Sequence, residues 1–370
     1  MADPRIPSRR EYARVQREAH GRRAVAVLPV HYPKELLTAL DLLALELWGP
    51  PGPPRGDAAG RIQPYVCAVV RNALAFLAAG HADVVSAVLV PHTCDSLQGL
   101  ATLLPDFGGF SGPTLTFQHP RDSARASARK YLRAELRTLA DALEAVAELH
   151  LDDARLARAI HLHDEVDALR ATLLEQRARL PVSDRRLYEV LRRGEWLWVA
   201  DHLEELRALA AELRPAPVQQ GVPLLVTGYV PEPPGLLDAL GNAGAFIAAD
   251  DYAAVGRRTA RPGPRTSDPW ADLMSRYLAP PPCPTRGVDQ KGRVAHLVAL
   301  AERAGARGVL VHVQKFCEPE LFDVPAIRAA FAARGLPVLV LEGELERELS
   351  GQTETRVEAF VELLRAGRAA

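Results

Sequence analysis

Four cysteines, Cys67, Cys94, Cys283 and Cys317, are the residues of this 370-residue chain best suited to carry chemistry. None belongs to a CxxC pair, so neither a zinc ribbon nor a thioredoxin-type site is indicated. The ordinary state of a free cysteine is that of a small buried hydrophobe, and the surroundings decide whether more is at work. Cys67 opens the helical-looking run CAVVRNALAFLAAG, and a helix N-terminus favours a thiolate. Cys94 falls a few residues past an apolar run over 84–90, and Cys317 a few residues past another over 308–313. In open parallel sheets, ligands bind beyond the carboxyl ends of the strands. Three thiolates converging with one coordination position left open suit a soft metal centre, zinc or iron–sulfur, and spacing does not separate the two. His31 directly follows the apolar run AVAVLPV. It is a candidate to hydrogen-bond a carbonyl or to donate a proton at such a site.

The elements that must position these residues read as alternating strand and helix. Short continuous apolar runs over 24–30, 84–90 and 114–117 have the character of buried parallel strands. An amphipathic helix is expected over 35–47, and a second helix begins at Cys67. From residue 122 to about 213 no strand signal appears, and Ala, Leu, Arg and Glu recur at helical spacing, as in KYLRAELRTLADALEAVAEL. Arg121–Asp122–Ser123 supplies a candidate N-cap there. Strand signals return over 222–228, 245–249, 308–313 and 337–341, with helices over 236–241, 293–304, 324–334 and from about 353. The expected fold class is α/β, with two doubly wound parallel-sheet units and a helical subdomain between them. The expected boundaries are 1–121 for the N-terminal α/β domain with Cys67 and Cys94, 122–217 for the helical subdomain, and 218–370 for the C-terminal α/β domain with Cys317.

Composition narrows the function classes. The formal net charge is −1, whereas nucleic acid or an anionic membrane calls for a basic excess. No apolar run approaches the ~18 residues of a membrane span, and MADPRIPSRREYARVQREAHGRR has no signal-peptide character. A cytoplasmic location, with no nucleic-acid or membrane partner, is the expectation. Neither a P-loop nor a GxGxxG occurs, so neither a P-loop nucleotide site nor a nicotinamide-type fingerprint is indicated.

The strings QPYVCAVVRN, PHTCDSLQ and QKFCEPELFDVP, with GQTETRVEAF downstream, resemble the 2-hydroxyacyl-CoA dehydratase and benzoyl-CoA reductase family, in its D-component-type iron–sulfur large subunits. AVLPVHYPKELLTALDLLALELWG and LLVTGYVPEPPGLLDALGNAGAFIAADD extend the similarity over nearly the whole chain.

The resemblance implies a 4Fe–4S cluster held by Cys67, Cys94 and Cys317, with the fourth iron position left to water, a sulfur species or substrate. It implies a lyase of anaerobic metabolism that eliminates water from a 2-hydroxyacyl-CoA thioester through a ketyl radical. The alternatives are an aromatic acyl-CoA reductase subunit, or a non-catalytic iron–sulfur or zinc protein on the same scaffold. The implied partners are an ATP-hydrolysing iron–sulfur activator and a homologous second subunit, in a heterodimer or homodimer. In one loop the chain departs from the family pattern: after Asp250–Asp251 it continues Tyr252, Ala253, Ala254, Val255, Gly256, Arg257, without the cysteine often found there. Cys283, in PPPCPTRG, is expected to be structural rather than a fourth ligand.

Overall fold

The computed structural model describes residues 8–54, 60–121, 125–259, 264–278, 280–286 and 289–367. Two four-stranded sheets, all of whose pairings are parallel, organise the chain. The first contains β1 (Ala24–Val27), β2 (Leu43–Glu46), β3 (Val85–His92) and β4 (Thr114–Gln118), in the spatial order β2-β1-β3-β4. The second contains β5 (Val222–Gly228), β6 (Ala245–Tyr252), β7 (Gly308–Gln314) and β8 (Val338–Gly343), in the order β6-β5-β7-β8. The two orders are the same when each sheet is counted from its own first strand. In both, the connections leave in opposite directions from the first and third strands, and the crevice at those strand ends is where such folds bind ligands.

The helices follow the strands in matching places. In the first unit, α2 (Lys34–Ala39), α3 (Ala68–Ala78) and α4 (Asp95–Phe107) connect successive strands, after the N-terminal α1 (Arg9–His20). Between the sheets run α5 (Ala126–Ala147), α6 (Asp153–Glu175), α7 (Asp184–Arg193) and α8 (Val199–Ala210). The second unit carries α9 (Gly235–Asn242), α10 (Pro269–Leu278), α11 (Gln290–Arg303), α12 (Glu318–Ala332) and α13 (Gly351–Ala366). The expected α/β class with helices between two parallel sheets is therefore what the chain adopts.

Strand residues alternate between two faces. Val25, Val27, Leu89 and Phe117 pack with α2, α5, α6 and α10. Ala24, Ala26, Val88 and Val90 face the opposite way, into a core that continues through α7 and α8 to Leu224, Val226 and Leu310 of the second sheet. Leu225, Val309, Val311 and Val313 face α11 and α12. One apolar core thus spans both sheets and fixes how they face each other.

Several local expectations are corrected. The helix expected over 35–47 ends at Ala39, Asp41 takes φ 54°, and Leu43–Glu46 becomes β2 on the edge of β1. Leu, Ala and Glu are good helix formers, and tertiary pairing overrides that propensity. The helix expected over 324–334 begins at Glu318, because Pro319 sits in its first turn where no amide hydrogen is needed. The expected N-cap residues Asp122 and Ser123 lie outside the described residues; α5 begins after Arg125, which makes no side-chain cap hydrogen bond.

Candidate cofactor site

Each of three cysteines occupies the N-cap of a helix. Cys67 caps α3, Cys94 caps α4 and Cys317 caps α12. Cys94 and Cys317 hold equivalent places, each following the third strand of its sheet. The counterpart of α3 in the second unit is α11, whose N-cap is Asp289. The three cysteines line a single cavity of about 900 Å³ between the two units. The sequence places Cys94 and Cys317 just past strand ends; that both also start helices is added by the structure.

The thiols lie where unsatisfied helix amides point. The amides of Val69 and Val70 favour charge on Cys67, those of Ser96 and Leu97 do so at Cys94, and that of Glu320 at Cys317. Burial opposes them and dominates. It pushes Cys67 up, Cys94 up to about 12, and Cys317 well above the ordinary thiol range. Three buried thiols with helix amides aimed at them keep their protons until a cation takes their place, as metal ligands do. Among the described residues, no three His, Cys, Asp or Glu side chains stand close enough to hold a single ion. The chemistry of the donors, three cysteines each at a helix N-terminus, fits a soft-metal group such as an iron–sulfur cluster.

Tyr229 lies one residue past β5 and within electrostatic reach of the cysteines. Its hydroxyl is 3.5 Å from the Pro29 carbonyl oxygen past β1, and its ring meets Trp48 edge-on. Burial raises its phenol well above the usual range, and charge on Cys94, Cys317, Cys67 and Cys283 acts in the same direction. Gly228 beside it has φ 156°, and a Cβ there would fall 2.0 Å from the His312 carbonyl oxygen. Only glycine lets β5 and β7 close at this point.

His31 is not among the residues lining the cavity. It and Val30 take φ of 59° and 63°, an unusual conformation for a β-branched residue such as Val30. The His31 ring places Nε2 3.3 Å from Cys283 Sγ, while its carbonyl oxygen accepts from His119 Nε2. Burial, followed by the charge of Arg286, holds His31 well below the usual imidazole range. Cys283 is fully buried, with Thr285 Oγ1 at 3.1 Å and Arg257 Nη1 at 3.5 Å. The structure thus brings Cys67, Cys94 and Cys317 to one cavity and sets His31 against Cys283 behind its wall. His92, Asp95 and Glu318 also line the cavity.

Three contributors were not singled out by the sequence. Tyr229 could have been found by applying the switch-point rule to the strand over 222–228. His119 and Arg286 line the cavity from a strand end and a short turn, and no local pattern marks them. The loop that departs from the family pattern proves to be a structural hub. Arg257 donates to Asp251 Oδ2 at 3.0 Å, to the Gly228 carbonyl oxygen at 2.7 Å and to both carboxylate oxygens of Glu320. It thereby holds the first turn of α12, directly behind Cys317.

Two parallel sheets of the same strand order, with a cysteine-lined cavity between them, define an α/β protein of two like units. Residues 29–364 match the family described as 2-hydroxyglutaryl-CoA dehydratase, D-component, and the chain belongs to that family. It is 27% identical to lactoyl-CoA dehydratase subunit beta of Anaerotignum propionicum, over 93% of this chain and 92% of the relative. It is 23% identical to the (R)-phenyllactyl-CoA dehydratase beta subunit of Clostridium sporogenes, over 97% and 96%. A benzoyl-CoA reductase subunit of Thauera aromatica is 25% identical, over 88% and 87%. No helix among the described residues is long and apolar enough to cross a membrane.

Proposed function

We propose that the chain is a 4Fe–4S-bearing subunit of a 2-hydroxyacyl-CoA dehydratase. The observation that carries this is the convergence of Cys67, Cys94 and Cys317, each at a helix N-terminus, on one cavity at the facing ends of two parallel sheets. Family membership and the names of the relatives support the substrate class.

Held by Cys67, Cys94 and Cys317, the cluster would relay a low-potential electron from a separate ATP-hydrolysing iron–sulfur activator to the thioester of a 2-hydroxyacyl-CoA, for a redox-neutral elimination in which the 2-hydroxyl and a hydrogen of carbon 3 leave as water and the electron is returned. The chain's own residues bind, orient and exclude solvent. Cys67, Cys94 and Cys317 hold the cluster while the helix amides behind them offset negative charge. Tyr229 and Trp48 pack edge-on, with the Tyr229 hydroxyl 3.5 Å from the Pro29 carbonyl oxygen, and tie the loops past β1, β2 and β5 together. A second subunit, homologous to this one by the family resemblance, completes the assembly; that the relatives are named as beta or C subunits supports a partner.

Iron and acid-labile sulfide on anaerobically purified protein test the cofactor, with about four of each per chain expected. Turnover of 2-hydroxyacyl-CoA thioesters with activator, reductant and ATP tests the reaction. The second reading, an aromatic acyl-CoA reductase subunit, is favoured by the similarity to the benzoyl-CoA reductase of Thauera aromatica; ring reduction without dehydration would establish it. A full cluster without either activity, with the correct partner present, would point to an electron-transfer or assembly role.

A further inference from the structure

Arg286 sits in the short turn Pro284–Arg286 on the wall of the cysteine cavity. The turn is fastened from behind, where the Arg286 amide donates to the Cys283 carbonyl oxygen at 3.0 Å and Cys283 Sγ meets Thr285 Oγ1 at 3.1 Å. The guanidinium donates through Nη2 to the Tyr277 carbonyl oxygen, and its Nε is buried without a partner. Among the described residues no carboxylate pairs with it.

Four other arginines of the neighbouring loops and helices are paired with carboxylates. Arg257 pairs with Asp251 and Glu320, Arg258 with Glu46, Arg276 with Glu35 and Asp167, and Arg293 with Asp251. A partly buried cation with an unpartnered Nε and no paired carboxylate is costly to maintain. The cavity it faces is also where three cysteines would carry negative charge once they hold a cofactor.

We infer that Arg286 is the counter-charge of this cavity, stabilising the extra negative charge of a reduced iron–sulfur cluster on Cys67, Cys94 and Cys317 and so raising its reduction potential. The inference rests on the cluster reading above. Reduction adds one negative charge to a group already bearing thiolates, and a fixed cation in a weakly screening interior favours the reduced form over the oxidised one. Arg286 acts through the cluster and is therefore a positioning residue. Its neighbour Cys283 serves by holding the turn that presents it.

The test compares wild type, Arg286→Gln and Arg286→Lys by redox titration of the anaerobic protein, with iron and sulfide counted in each. Arg286→Gln keeps a donor for the Tyr277 carbonyl oxygen and removes the charge. Its midpoint is expected to move to a more negative potential by about 59 mV, a tenfold fall in the reduced-to-oxidised ratio for one electron. Arg286→Lys retains the charge and is expected to stay near the wild-type midpoint. An Arg286→Gln protein with full iron and sulfide and an unchanged midpoint would overturn the inference. So would loss of iron and sulfide from both variants, which would make Arg286 a part of the turn and no more. In both cases the wild type carries its cluster. A wild type without iron or sulfide would overturn the cluster reading itself, and this inference with it.

Discussion

Arg257 and Glu320 face each other inside the protein through two nitrogens and two oxygens, with the arginine side chain fully buried. Arg257 belongs to the loop after β6 and Glu320 to the first turn of α12, three residues beyond Cys317. The pair ties the second sheet to the helix that presents a cavity cysteine. Removing one partner leaves the other charge buried and alone, whereas replacing both by apolar groups relieves it. Arg257→Met is expected to lower stability by roughly 3–5 kcal/mol. The double variant Arg257→Met with Glu320→Leu should recover part of that loss. Urea unfolding of the two single variants and the double gives the coupling energy. Equal stability of Arg257→Met and wild type would show that the pair does not hold the helix.

The cysteines divide into two groups by position. Replacing Cys67, Cys94 or Cys317 with serine removes a soft ligand from the cavity wall, and each variant is expected to lose most of its iron and sulfide. Cys283 contacts His31, Thr285 and Arg257 behind the wall. Cys283→Ser should therefore retain the cluster, because a hydroxyl can serve the same polar neighbours. Cluster loss confined to Cys283→Ser would reverse the ligand assignment.

Much of this site was legible in the sequence, and the illegible part has definite causes. The apolar runs around Val88 and Leu310 announce buried parallel strands, which set Cys94 and Cys317 past their carboxyl ends. The helical start at Cys67 was equally open to view, since Ala68–Ala78 is apolar on most of its surface. β2 was hidden because Leu43–Glu46 is written in helix-forming residues and becomes a strand only by pairing with β1. The start of α12 was hidden by Pro319 and Pro325, which resemble loop punctuation until the first-turn position of one is known. Arg257 and Glu320 are 63 residues apart, so no local pattern joins them.

Buried neutral histidines set the acid limit of the fold. Burial lowers His202 to about 3, with the Arg170 charge adding to it, and lowers His312 to about 4. His202 donates from Nε2 to the Val190 carbonyl oxygen at 3.1 Å, and His312 Nδ1 lies 3.2 Å from the Tyr252 hydroxyl. Each folded value lies below the ~6.5 of an exposed imidazole, so below that pH the unfolded chain binds protons that the folded one refuses. Stability is then full above about pH 6.5 and falls as the pH drops toward 4, by about 1.4 kcal/mol per pH unit per histidine. Urea unfolding between pH 7.5 and 5 should show this slope, and His312→Gln should reduce it by about one proton. A stability independent of pH over that range would contradict the burial of these rings.

Gly49 supports the helix that Cys67 begins. Its φ is +79°, and a Cβ there would lie 2.7 Å from Asn72 Cβ and 3.1 Å from the Ala73 amide nitrogen and the Val69 carbonyl oxygen. Asn72 in turn donates to the carbonyl oxygens of Pro50 and Gly52, both at 2.8 Å. The 49–52 turn and α3 therefore fit together without room for a methyl group. Gly49→Ala must both strain the backbone and push α3 away, at a cost of roughly 1–3 kcal/mol. Because α3 carries Cys67 on its N-cap, the same substitution is expected to slow cluster reconstitution. Asn72→Ala instead loses the two hydrogen bonds to the turn while leaving room for it. It should destabilise by about 1–3 kcal/mol with a smaller effect on the rate of iron uptake. Reconstitution rates followed by visible absorption, beside melting temperatures, separate the two effects. Equal rates in Gly49→Ala and wild type would show that Cys67 does not depend on this contact.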